Sequence, residues 1–172
     1  MRMPLTQLLD ELARRLVPFA LSVLLVLAAA LPWPLPDYAD FAPSVSIMVI
    51  FYWTIARPDL MPNVAAVALG LIEDVMHGAP LGFNALVLLL ACGLARSQQM
   101  NIAGRPFALH WAAFVIIATL TELMRWMLLW AVTGVLVDLG PVSLHLLTTV
   151  ALYPALAWLL FRCQSAFLRQ AT

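Results

Sequence analysis

Residues 70–86 read GLIEDVMHGAPLGFNAL, and the reading of this stretch decides the fold. Two adjacent carboxylates, Glu73 and Asp74, end an apolar run. His77 and the turn Gly78-Ala79-Pro80 follow, and a second apolar run carrying Asn84 begins at once. Apolar runs separated by a Gly-Pro break, with no strand-like alternation, predict two antiparallel helices joined by a very tight turn. On the first helix Asn63, Val67, Gly70, Asp74 and His77 share a face by steps of three and four. Ala66 and Gly70 form a small-xxx-small pair that lets another helix approach closely. Glu73 points about 100° away from Asp74 around the helix, so the two carboxylates do not converge as a general acid/base pair would.

The same pattern extends along the whole chain of 172 residues, of which 64% are hydrophobic and 10% charged. The charged share is far below the roughly 25% of soluble domains, and the mean hydropathy of +0.96 agrees. The composition describes an integral membrane protein. A span needs about 20 apolar residues, so the chain accommodates about six within a single membrane domain. Polar and Pro-rich breaks place them at 16–33, 39–56, 62–77, 81–97, 107–134 and 141–162, with ARSQQMNIAGRP read as the loop after the fourth. The third and fourth spans, at about 24 Å of helix, fall short of a hydrocarbon core of about 30 Å. Their turn is therefore expected below the outer surface. There Glu73, Asp74, His77 and Asn84 would line a recess, since ionised groups at that depth must face water or partners.

Charge sets the expected orientation. All nine basic residues are Arg, and eight of them (2, 14, 15, 57, 96, 105, 162 and 169) fall on one side of the spans. The other side carries Asp37, Asp40, Glu73, Asp74 and Asp138. The positive-inside rule then puts both termini of this multi-pass chain in the cytoplasm. Ala28-Ala29-Ala30 also offers a signal-peptidase pattern, against which the acidic Asp10 and Glu11 weigh. A net charge of zero excludes broad nucleic-acid binding, which needs a basic surface.

The ninth Arg, Arg125, lies inside the fifth span three residues after Glu122, so the two share a face. Either alone at a helix centre costs about 2.5–3.5 kcal/mol, and an internal ion pair, with Thr119 and Thr121 completing its hydrogen bonds, makes the span insertable. His110 and His145 read as interfacial residues near the starts of spans. Tyr153-Pro154 reads as a packing kink whose freed carbonyl a neighbour satisfies. Cys92 and Cys163 lack short spacing or metal-type partners and read as reduced packing residues. No H-E-x-x-H, P-loop, G-x-G-x-x-G or G-x-S-x-G context occurs, so neither an enzyme, a metal nor a cofactor is expected.

With these residues in view the chain resembles the rod shape-determining protein MreD family. The resemblance runs from LPWPLPD after the first span, through FYWTIARPDLMPN and GLIEDVMHGAPLGFNALVLLL, to the long fifth span and the Tyr-Pro of the sixth. Its most specific part is a Gly, an Asp four residues on, then G-x-x-L-G and a small-apolar pair. Here these are Gly70, Asp74, Gly78, Leu81, Gly82, Ala85 and Leu86, with Asn84 beside them; Glu73 and His77 fall outside the pattern. The resemblance implies a non-enzymatic subunit of the machinery that elongates the lateral peptidoglycan wall. Its implied partners are MreC directly, and MreB, RodA and a penicillin-binding transpeptidase indirectly. The family's six-helix fold is similar to the substrate-binding subunits of energy-coupling-factor vitamin transporters, which supplies the alternative of a small-molecule binding subunit. Such subunits usually carry A-x-x-x-A on the first helix. Here the pairs are Ala91/Ala95, Ala108/Ala112 and Ala151/Ala155, on other spans.

Overall fold

A computed structural model describes residues 18–31, 42–135 and 138–168, with side chains through residue 165. Among them are six α-helices and no strand: α1 Pro18–Ala29, α2 Val45–Ala56, α3 Asn63–His77, α4 Phe83–Ile102, α5 Phe107–Thr133 and α6 Leu139–Leu168. A short 3-10 turn, Pro58–Leu60, links α2 to α3. The expected limits of the first span, the start of the second, LPWPLPD, and the charges at 2, 10, 11, 14, 15, 37, 40 and 169 lie outside the described residues.

α2 is the axle of the bundle. It packs against α3, α4, α5 and α6, and of its twelve residues all but Tyr52 and Ala56 are buried. A helix that is apolar all round has no face to spend on solvent, so it takes the centre. Its Phe51 meets Phe114 of α5 and Tyr153 of α6 edge-on, with ring centroids 5.3 and 5.7 Å apart. Phe114 and Tyr153 stack at 3.9 Å. Such pairs contribute about 0.5–1.5 kcal/mol each beyond the area they bury. The carbonyl freed by Pro154 inside α6 is satisfied as helix chemistry requires: Pro154 cannot donate to the Val150 carbonyl, and Trp111 Nε1 of α5 donates to it instead at 3.2 Å.

α5 and α6 are long and apolar enough to cross a membrane. They turn Ile116, Leu123, Met127, Leu147 and Phe161 outward. α2 begins at Val45, because Pro43 biases Ala42 away from helical backbone and Val45 N–H bonds the Pro43 carbonyl at 2.9 Å. α4 runs on to Ile102, through residues expected to be loop. Polar character ends a membrane span but not a helix, and Arg, Gln and Met are good helix formers. Arg96 Nη2 also anchors this extension to the Met61 carbonyl at 2.7 Å. The real loop is Ala103–Pro106, turned by Gly104 at φ +76°.

Candidate functional site

The α3–α4 hairpin is built around one close approach and one carboxylate. A Cβ on Gly70 would sit 2.3 Å from the Ala85 Cα and 2.4 Å from its nitrogen, so the helices touch backbone to backbone there. One turn on, Asp74 is fully buried. Its Oδ2 accepts from Gly82 N–H at 2.7 Å and its Oδ1 from Asn84 N–H at 2.8 Å. The first N–H groups of a helix have no partner inside it, and a negative charge at that end is favourable. Asp74 thus caps α4 from the neighbouring helix. The Asp74 carbonyl in turn accepts from the N–H groups of Gly78 and Ala79, the latter at 3.0 Å. Gly78 ends α3 in the left-handed region (φ +62°) and Gly82 enters α4 there (φ +97°), which explains glycine at both places. Leu81, at the tip, is 76% exposed and faces away from the bundle.

Glu73, one residue earlier, has a different fate. It is 8% exposed, yet its buried Oε2 has no hydrogen-bond partner among the described residues. It borders a cavity of about 470 Å3 between the ends of α1 and α3 and the starts of α2 and α4. His77 lines the same cavity. Its Nδ1 lies 2.9 Å from the Glu73 carbonyl, which can only accept, so Nδ1 carries the proton and Nε2 is left open. Asn84, held by the Asp74 cap, also lines it.

The far wall holds the second constellation. Arg125 Nη1 lies 3.4 Å from Glu122 Oε1, and His145 Nδ1 of α6 approaches the same oxygen to 3.2 Å. Among the described residues no N–H is aligned to hydrogen-bond that oxygen. Arg125 and His145 line the cavity with Glu73, His77 and Asn84. Thr119 and Thr121 do not complete the pair, contrary to expectation. Thr119 donates to the Val115 carbonyl, and Thr121 to those of Ile117 and Ala118, since a helical hydroxyl finds its own preceding turn nearest.

Of the four residues expected in a recess, Glu73, His77 and Asn84 line the cavity while Asp74 is turned into the hairpin. The sequence reading missed that the two constellations share one site, and it missed His145, taken for an interfacial residue. Helical spacing relates residues three or four apart; it carries no signal for Glu122 against a histidine on the next helix. Ser44, the hydroxyl on the lining, contacts Ser46 Oγ at 3.5 Å rather than a base. No group of three His, Cys, Asp or Glu among the described residues is placed to hold a metal ion. The site can offer an acceptor, an imidazole and a guanidinium to a polar group entering from outside.

An apolar all-α bundle with two membrane-length helices and a polar recess at one end defines a membrane-associated protein. The sequence model of the rod shape-determining protein MreD matches residues 10–163, and the chain belongs to the MreD family. Its role is therefore in the determination of rod shape. No curated protein sequence and no solved structure matches the chain.

Proposed function

We propose that the protein is a non-enzymatic inner-membrane scaffold of the cell-elongation complex. Its six helices cross the membrane with both termini cytoplasmic, and its hairpin-end recess opens to the periplasm and receives the membrane-proximal part of MreC. Through MreC it keeps the MreB filament, RodA and the penicillin-binding transpeptidase in one assembly for lateral peptidoglycan synthesis. Family membership over residues 10–163 carries the reading of the role. The recess supports the contact: a buried carboxylate oxygen with no partner among the described residues, beside the open Nε2 of His77 and the Glu122-paired guanidinium of Arg125, is a half-built interaction. Depletion in the native host is expected to turn rods into rounded cells, and retained rods at full depletion would contradict the proposal.

A second reading, a vitamin-type binding subunit of a transporter, draws on the same cavity, whose volume falls within the roughly 300–1,000 Å3 of ligand pockets. Ala91 and Ala95 are buried in the core and unavailable to a coupling subunit, whereas the Ala108/Ala112 and Ala151/Ala155 pairs lie on exposed faces. Thermal stabilisation of the purified protein by a vitamin at micromolar concentration would favour this reading over the scaffold.

A further inference from the structure

The opposite end of the bundle holds a larger cavity, of about 690 Å3, between the end of α2, the Ala103–Pro106 loop, the start of α5 and the middle of α6. We propose that it holds one anionic phospholipid, with the phosphate at Arg105 and the start of α5 and an acyl chain along the aromatic wall. The wall is apolar: Phe107 stacks over Tyr153 at 6.5 Å, and Trp158 and Phe161 continue it. These last two are exposed on the perimeter, so the cavity opens sideways, where lipid lies, rather than only toward water.

Three polar features stand within or beside this wall without a protein partner. Arg105 is exposed on the rim and makes no side-chain hydrogen bond or ion pair among the described residues. Arg162 also stands at this end, lying over the Trp158 ring at 4.9 Å rather than on a carboxylate. The one acidic residue described at this end is Asp59, on the 3-10 turn. α5 starts beside Arg105 with Pro106 at its N-cap and no side-chain cap, so its first N–H groups and dipole add to the positive field. Deeper in, the Tyr153 ring is buried and borders the cavity, and its hydroxyl makes no hydrogen bond among the described residues, whereas the Tyr52 hydroxyl donates to Gln164 Oε1 at 2.9 Å. A hydroxyl on a cavity lining without a protein partner is free to bond the occupant. Basic pockets between helices at the cytoplasmic side recognise anionic headgroups in this way.

The test is native mass spectrometry of the full chain in a neutral maltoside detergent, with equal amounts of palmitoyl-oleoyl phosphatidylglycerol and phosphatidylcholine added. Wild type is expected to retain one phosphatidylglycerol about fivefold or more over phosphatidylcholine, near what one cation at a membrane surface contributes. Arg105→Gln, an exposed change, and Tyr153→Phe, which keeps the ring stacking, are each expected to bring the ratio toward parity. Arg57→Gln, at the same end but off the cavity, is expected to keep it. Parity in wild type, an unchanged ratio in Arg105→Gln or in Tyr153→Phe, or an equal fall in Arg57→Gln overturns the proposal.

Discussion

The hairpin turn and the recess beside it are made from adjacent residues, and they are finished to different degrees. Asp74 and Glu73 are both buried carboxylates on α3. Asp74 meets two backbone N–H groups at 2.7 and 2.8 Å, while a Glu73 oxygen meets no donor among the described residues. A carboxylate whose bonds are all made inside the chain serves the fold. One left open at comparable burial costs stability unless something else completes it, as the proposed contact would. The difference separates a region closed within the hairpin from one left open where the sequence places them side by side.

Breaking the closed region has the largest expected effect. Gly70→Val puts a side chain where even a Cβ would meet the Ala85 backbone at 2.3 Å. No side-chain adjustment relieves that contact, so the hairpin must separate. Overpacking costs about 1–3 kcal/mol in adaptable cores and more where backbone is struck, so the protein is expected to be nearly absent from membranes by immunoblot. Asp74→Ala comes next. It strands two N–H groups at about 1–3 kcal/mol each, and a fall in the thermal midpoint of the purified protein checks it. Wild-type stability in this variant would remove the cap from the account.

The recess sharpens the comparison with smaller effects on stability. Arg125→Leu leaves Glu122 buried with only His145, and is expected to lower accumulation more than Glu122→Leu combined with Arg125→Leu. Removing one partner of a buried pair is costlier than replacing both by apolar groups. A double variant no better than the single would show that the two charges are not coupled. Glu73→Gln is expected to change stability least, within about 1 kcal/mol, because it alters a group that makes no bond the fold depends on, and the thermal midpoint checks it. In cells it should nevertheless impair rod shape at normal protein level. Normal shape in that variant would make the open carboxylate idle.

Legibility in the sequence followed the range of the interactions. The α3–α4 hairpin was readable because its determinants are local: Gly70 and Asp74 share a face, and Gly78 and Gly82 bracket a turn of three residues. The ends of α5 are local too, since Pro106 and Gly134 mark them chemically. The end of α4 was misread because polarity was taken for loop, although Arg96 to Asn101 continue the helix outside the apolar segment. The recess was half legible. Glu73, His77 and Asn84 lie within twelve residues of one another, but their meeting with Arg125 and His145 depends on how α3, α4, α5 and α6 are arranged around α2. No periodicity encodes that arrangement.

The central claim is that the open groups of the recess are completed by MreC. Its most direct test is photo-crosslinking in cells from probes placed singly at His77, beside the open carboxylate, and at Arg105, at the other end of the bundle, with Glu73 intact or changed to Gln. The account predicts capture of MreC from position 77, weakened by Glu73→Gln, with none from position 105. Capture of MreC from position 105 alone, or from neither position while the protein accumulates normally, would contradict it.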